Sequence, residues 1–391
     1  MEVAQVYSIV NSATSQVLGE TAVLKEDLTN IVDIGTEVFN ANAVDNYVRK
    51  LVDHIGKVIF VNRPYRGSVP SVLMDGWEYG SVLEKIRAEL PEAQENPAWN
   101  LQDGQSYDDH IFYQPQVSVK FFNNKSTFQI PVSFTKRQVK ESFSNETQLN
   151  AFISMLYTAV ETSVTVKMDS LVMMTICNMI AQTLASEYPS AGYGAKSGIR
   201  AVNLLYLYNQ EYGQSLTADK AVKTPEFIRF AAYTIGVYSD RMTRLSKLFN
   251  VGGTNRFTPK DLQHIVMLSD FAKASEVYLQ SDTFHDELVA LPSAETVPYW
   301  QGSGVAYDFG SISSLNVTID VDGTDTAVNA GGILAVIFDH DALGVTNIYR
   351  EVETSYTASA QFFNNYYDME AGYFNDLNEN FVVFFVADAA A

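Results

Sequence analysis

The residues able to do chemistry in this chain are few, and their spacing does not suit it. Five histidines, His54, His110, His264, His285 and His340, occur among 391 residues, and Cys177 is the single cysteine. A zinc centre draws on three or four nitrogen or sulfur ligands at characteristic spacing, and a helical ligand pair needs two histidines four residues apart. No two of these histidines stand in that relation, and no second thiol exists to complete a metal set or a disulfide. The densest local group is Asp339, His340 and Asp341 in "FDHDAL". Neighbouring residues of a strand point to opposite faces, so the trio reads as a solvated strand end rather than a metal site.

Three other motifs begin and then fail. "DVDGTD", at residues 320–325, lacks the third aspartate and the distant glutamate of a calcium loop, so Asp322 and Gly323 read as a hairpin turn. "GYGAKSG" would cradle phosphate only with glycines where Ser190 and Ala195 stand, and reads as a mobile linker. The serine nucleophile elbow starts at Gly104 to Ser106 and again at Gly213 to Ser215, but Asp108 and Thr217 hold the place of its second glycine. The expectation is no enzyme, no metal and no cofactor; an enzyme of some unrecognised α+β fold is the alternative, resting on Asp339, His340 and Asp341.

Composition limits the partners. Lys plus Arg number 26 against 46 Asp plus Glu, a formal net charge of -20, and such a surface repels phosphate backbones rather than neutralising them. Apolar residues make up 47 %, aromatics 12 % and charged residues only 18 %, so a chain this lean in charge has surface to offer a protein partner. Glu2 stands where a secretory signal carries a cation, and the first apolar residues are spaced rather than continuous, which points to a reducing cytoplasm.

The elements follow from periodicity. Residues 1–40 read as an arm that begins helically at Val3, Val6, Tyr7 and Val10. A helix from residue 42 is predicted to end at Gly56, followed by a short strand in "KVIFVNRPY". Residues 63–112 hold five prolines and glycines before the helix-like "SVLEKIRAELP" and few periodic stretches after it, and a long segment of this kind is commonly functional. "QPQVSVKFFNN" and "KSTFQIPVSF" are predicted to pair across Asn123 and Asn124. Asn145 caps one helix over residues 146–187, with the β-branched run "TSVTV" as its weakest point and two helices with a bend there as the alternative. Its second half, "SLVMMTICNMIAQTLAS", carries no charge. Thr175, Asn178, Gln182 and Thr183 within it and the absence of a basic flank argue against a membrane span, leaving a rod covered by sheet, arm and neighbouring subunits. Beyond it come a helix opening at Thr224-Pro225, a strand and helix in "DLQHIVMLSDFAKASE", a strand pair around Asp322-Gly323, and buried strands in "GGILAVIFD" and "ENFVVFFVAD". The class is α+β.

This order of arm, excursion, uncharged rod and mixed second half resembles the major capsid proteins of tailed bacteriophages, with the Hong Kong 97-like fold. "VDNYVRKLVDHIGKVIFVNRPYRGSVPSVLMDGWEYGSVLEKI" is similar to the segment leading into their extended loop, and "NFVVFFVAD" to their final strand. The resemblance implies an N-terminal arm at 1–40, a helix and strand at 41–62, an extended β-hairpin loop at 63–134 and a peripheral domain with a long spine helix at 135–196. It further implies an axial domain at 197–342 and a return to the peripheral domain at 343–391. The implied function is an icosahedral phage head, maturing from a procapsid assembled in the host cytoplasm. Its partners would be the chain itself as hexamers and pentamers, a separate scaffolding protein, a portal protein at one vertex and packaged double-stranded DNA held non-specifically, with no membrane. Some members cross-link a loop lysine; nothing marks Lys85, Lys120 or Lys125 as reactive. Trp77, Tyr79 and Trp99 are the interface candidates, with packing inside the loop as the competing role for the tryptophans. An encapsulin-like cellular compartment is the alternative within the same fold.

Overall fold

The computed structural model of the protein describes residues 3–19, 24–25, 28–40, 43–62, 69–74, 83–88, 117–189, 192–280, 294–300, 313–321 and 323–388, with isolated positions between 95 and 114. Numbered in chain order, helices α1 (Val3–Leu18), α2 (Ile31–Asn40) and α3 (Val44–Asn62) precede strands β1 (Leu83–Ala88), β2 (Val117–Phe122) and β3 (Lys125–Thr135). Helix α4 (Lys136–Ser142) leads into α5 (Glu146–Glu187). After it come β4 (Ala201–Asn203), α6 (Leu204–Tyr212), α7 (Ala218–Ala221), α8 (Pro225–Met242), β5 (Gln263–Leu268), α9 (Ser269–Gln280) and β6 (Glu295–Val297). Strands β7 (Leu315–Val321), β8 (Thr324–Ala330), β9 (Ile333–Asp339), β10 (Leu343–Thr357), β11 (Phe362–Asn375) and β12 (Phe381–Phe385) complete the described order.

Helix α5 runs unbroken for 42 residues. Asn145 caps it by accepting from the Gln148 amide at 2.8 Å, which satisfies one of the free N–H groups of the first turn. The β-branched run does not bend it. Ser163 and Thr165 turn their hydroxyls back to the carbonyls of Ala159 and Glu161, both at 2.9 Å, so these side chains are satisfied within the helix itself. Thr175 and Thr183 do the same at 2.8 Å to Leu171 and Met179, which is how two hydroxyls are satisfied while fully buried.

The helix threads two cores. Leu149, Phe152, Ile153, Leu156 and Val160 pack with α1, α2, α3, Phe134 of β3 and Phe363 and Tyr367 of β11. Met168 through Leu184 pack instead with a five-stranded sheet of order β4-β12-β9-β5-β6, with the β7–β8 pair and with α8. Val164 touches both clusters. The uncharged half of the rod is therefore covered largely inside the single chain, without the neighbouring subunits that its composition suggests. Strands β9 and β12 are buried at every position, in keeping with their unbroken apolar composition. A third sheet, β10-β11-β3, is antiparallel and spans the two cores, and Pro131 is tolerated because β3 lies at its edge.

Several expectations are corrected. The helix predicted to stop at Gly56 continues to Asn62 and takes in residues 57–62 of the predicted strand, the rest of which lies outside the described residues; an interior glycine costs only about 1 kcal/mol, which a well-packed α3 stripe of Leu51, Val52 and Ile55 outweighs. "LEKIRA" is strand β1 and not helix, because its alternation of partly buried Leu83, Lys85 and Arg87 with exposed Glu84 and Ile86 matches a period of two. Strands β2 and β3 do not form the hairpin predicted at Asn123-Asn124: β2 pairs with β1 and β3 with β11. The long β10–β11 pair was not anticipated at all. The glycine-rich turn after α5 is anchored rather than loose. Tyr188 Oη accepts from the Gly198 amide at 2.9 Å and donates to Ala201 O at 3.0 Å, and a side chain at Gly198 would collide with Glu187.

The β7–β8 hairpin turns at Gly323, whose φ of 80° suits glycine, as "DG" suggested. Cys177 is fully buried in the second core, the small-hydrophobe role expected of it. For the helix, Ile176→Ala is expected to destabilise the chain by about 2–5 kcal/mol by opening a cavity in this core. Met155→Ala, at a site 54 % exposed on the same helix, should change the urea midpoint by less than about 0.5 kcal/mol equivalent.

Candidate functional site

The most concentrated charge in the described structure lies beneath the β1–β2 ribbon. Register pairs Lys85 directly with Lys120, and Arg87 sits two residues further along the same face. Like charges opposite one another destabilise a strand pair. The chain resolves this by placing Asp376, from the turn between β11 and β12, between the two lysines: Oδ2 is 2.9 Å from Lys85 Nζ and Oδ1 is 2.9 Å from Lys120 Nζ. Lys85 also reaches Glu379 Oε1 at 2.9 Å and donates to Asp341 O at 2.9 Å. Arg87 pairs with Glu379 and lies 3.6 Å from Asp341, while Arg256 approaches Glu379 at 3.7 Å.

Both acids are nearly enclosed, with side-chain exposures of 2 % for Asp376 and 3 % for Glu379. Burial by itself would raise the Asp376 pKa, but the Lys85 charge, the hydrogen bonds from Lys120 and Lys85 and the Asn378 amide together hold it below the ordinary value. Phe122 against Phe374, ring centroids 5.2 Å apart, extends the contact as an apolar edge. The opposite face of the ribbon is uncovered. Ile86 and Phe121 are 63 % and 65 % exposed, and Val117 and Val119 join them on that side.

A second polar group lies behind this seam. Asp339, buried, accepts from Thr258 Oγ1 at 2.6 Å and from the Asp341 amide at 2.9 Å; Asn380 donates to the same Thr258 hydroxyl at 3.0 Å. His340 faces His264, with Nδ1 and Nε2 3.0 Å apart. Burial and then the neighbouring His340 lower the His264 pKa, so the charged form of His264 is disfavoured in this contact. The trio read as a strand end thus divides: Asp339 faces inward, His340 meets His264, and Asp341 lies at the surface beneath Arg87. Among the described residues no three His, Cys, Asp or Glu side chains gather as a metal site. Sequence reasoning missed His264 because its partner lies 76 residues away, and it missed Lys85 and Asp376 because 291 residues separate them. The alternation of Lys85 and Arg87 on one face of the short β1 was the available signal.

Of the interface candidates, Trp99 is 88 % exposed, while Trp77 and Tyr79 lie outside the described residues. The third tryptophan, Trp300, is core and donates through Nε1 to Ile333 O at 3.1 Å.

A seam of this kind orients one part of a chain against another and presents an apolar face outward; it is the equipment of a protein that builds structure by contact. The profile of the Phi29-like phage major capsid protein family matches residues 7–385, and the chain belongs to that family. It is a capsid-forming structural protein of the phage head, self-associating into the shell of the virion. Solved structures that resemble it include the capsid of Staphylococcus phage Andhra, at 10 % identity and TM-score 0.49, covering 81 % of this chain and 83 % of that one. The capsid of cyanophage P-SCSP1u resembles it at 12 % identity and TM-score 0.42, covering 80 % and 85 %. A structure from Mycobacterium phage Che8 does so at 10 % and 0.38, covering 80 % and 89 %. Comparison with curated proteins finds no match.

Asp376→Asn, which leaves two lysines around a neutral amide, is expected to cost about 2 kcal/mol, a value below that of a fully buried pair because Lys120 is part-exposed. Hydrogen exchange at β1 and β2 amides should speed up while the β9 amides keep their protection. The Asp376 pKa is depressed in the folded chain, so its contribution is complete above about pH 4 and is lost as pH falls through the lower folded value. The decline in urea stability below about pH 4 should accordingly be shallower in Asp376→Asn than in the natural chain.

Proposed function

We infer that the chain is the major subunit of an icosahedral head, assembled in the host cytoplasm from hexamers and pentamers around a separate scaffolding protein, with a portal protein at one vertex. The packaged double-stranded DNA is held non-specifically: a subunit of net charge -20 repels phosphate, so the genome stays free to move. The chain acts by contact and carries no catalytic step. In this reading residues 1–40 are the arm, 41–62 lead to the extended loop at 63–134, 135–196 form the peripheral domain around α5, 197–342 the axial domain, and 343–391 return to the peripheral domain. The helical packing of α1 and α2 beside α3 and the separate β1–β2 ribbon support the arm and loop divisions.

The observation that carries the proposal is the family match along 7–385. The uncovered outer face of the ribbon supports it, since a two-stranded ribbon is marginal in water on its own. Trp77, Tyr79 and Trp99 are then contacts made on assembly. Negative-stain microscopy of the purified chain, alone and with its scaffold, is expected to show shells, capsomers or polyheads; persistent monomers under both conditions would overturn the reading. In the finished shell, residues 63–112 should gain hydrogen-exchange protection relative to the free subunit.

A further inference from the structure

The His264–His340 contact stands between two attachments of one stretch of chain. Register sets His264 opposite Phe338, and His340 lies two residues further along the same face, which brings Nε2 and Nδ1 to 3.0 Å. The His264 ring also packs on Phe338, with centroids 5.7 Å apart. On one side is the turn that follows β9. There His340 N donates to Leu262 O at 2.9 Å, and the next residue, Asp341, accepts from Lys85 Nζ at its carbonyl and holds its carboxylate 3.6 Å from Arg87. This is one attachment of β1. On the other side is Glu295 of β6, whose carboxylate accepts from Ser71 N at 3.2 Å and from Ser71 Oγ at 2.5 Å. Ser71 belongs to residues 69–74, which precede the ribbon, bury Val69 and Val72, and bond Met74 N to Val345 O at 2.9 Å.

A bond between two imidazole nitrogens has room for one proton. The pair keeps that bond with no charge or with one, because one facing nitrogen still donates and the other accepts; with two charges both facing nitrogens carry N–H and the bond is lost. The surrounding groups pull in both directions. Glu295 of β6 and Asp339 of β9 favour a charged His264, but burial and His340 outweigh them. Asp240 of α8, with Lys260 and Asp261 ahead of β5, lines an open cavity of about 760 Å³ shared with Ser71, His264 and Glu295, so protons reach the site. Beyond Asp341 the facing charges are Lys85 and Arg87. A histidine whose charged form is disfavoured in a contact takes up more protons once the contact opens, so the contact is complete above the ordinary histidine range, about 6.5, and weakens as pH falls below it. We propose that His264 and His340 form an acid-sensitive tie between the two attachments, closed near neutral pH and opened when both imidazoles are charged. Opening turns a cationic His264 toward Glu295 in competition with Ser71 and unpins the turn that holds β1 at Asp341. Neither histidine has a part in the shell-forming reading.

Amide hydrogen exchange on the free full-length chain tests it, read as protection relative to the intrinsic rate at each pH. The window runs from about pH 7 to about pH 5, above the ordinary carboxylate range, where Asp376 keeps its charge. Across it, protection at residues 71–74 and 83–88 is expected to fall about tenfold while β12 keeps its own. His264→Gln can still bond His340 but cannot take up the second charge, so there the fall should stay under about twofold. An equal fall in His264→Gln would overturn the proposal, as would constant protection in the natural chain or a fall shared by β12. Carbon-detected titration of the two imidazoles in the natural chain is a second readout. It should show two coupled steps, the later one below the ordinary histidine value; two independent steps at that value would overturn the tie. If His264→Gln fails to fold by circular dichroism, His340→Gln and the imidazole titration decide in the same sense. Both measurements are made on the free subunit, so a failure of shells to form has no bearing on them.

Discussion

The structure depends on the burial of one long helix from two directions. Helix α5 spans 42 residues, about 63 Å at 1.5 Å per residue, which is more than one core of ordinary thickness can cover. The chain covers it with two, one built from α1, α2, α3 and the edge of the β10-β11-β3 sheet, the other from the five-stranded sheet and α8. Because the helix is continuous, the cores are held at a set separation and rotation by backbone hydrogen bonds rather than by a flexible linker. For a shell subunit this matters more than stability alone, since small errors in subunit shape accumulate around a closed lattice.

The charged seam plays a different part. Taking Asp376 and Glu379 out of water costs free energy that their pairing with Lys85, Lys120 and Arg87 largely returns, so a seam of this type contributes modestly to net stability. What it gives is discrimination between arrangements. A ribbon rotated about its long axis would present Ile86, Val119 and Phe121 to two buried carboxylates and leave the cations in solvent, an arrangement that forfeits every ion pair while keeping the desolvation cost. The seam therefore decides which face of the ribbon points outward. Asp376 and Glu379 can be buried because each receives more than one cationic or amide donor.

Acidic balance and localised basic charge are compatible in one subunit because they act over different ranges. Net charge sets the repulsion felt by a polyanion at distances near the Debye length, about 8 Å at physiological salt, whereas a cluster such as Lys85, Arg87 and Lys120 acts on what touches it. A chain of net negative charge can thus repel polyanions and still fix its own internal contacts.

Much of the fold was legible in the residues themselves. The bounds of α5, its cap at Asn145, the start of α8 at Pro225, the turn at Gly323 and the buried strands β9 and β12 follow from local hydrogen bonding, backbone conformation and composition, all of which act within a few residues. The partners of the strands were not legible. Alternation marks β2 and β3 as strands, yet whether they pair with each other or with β1 and β11 depends on which sheets the two cores close, and alternation is blind to that. The same reason hid the seam and the His264–His340 contact: Lys85 and Asp376 have ordinary neighbours in sequence and meet only once the β11–β12 turn is brought beneath the ribbon. Residue types and periods determined which pieces form and that they need covering; tertiary closure decided what covers them, because burial rewards removal of area from water without specifying the partner.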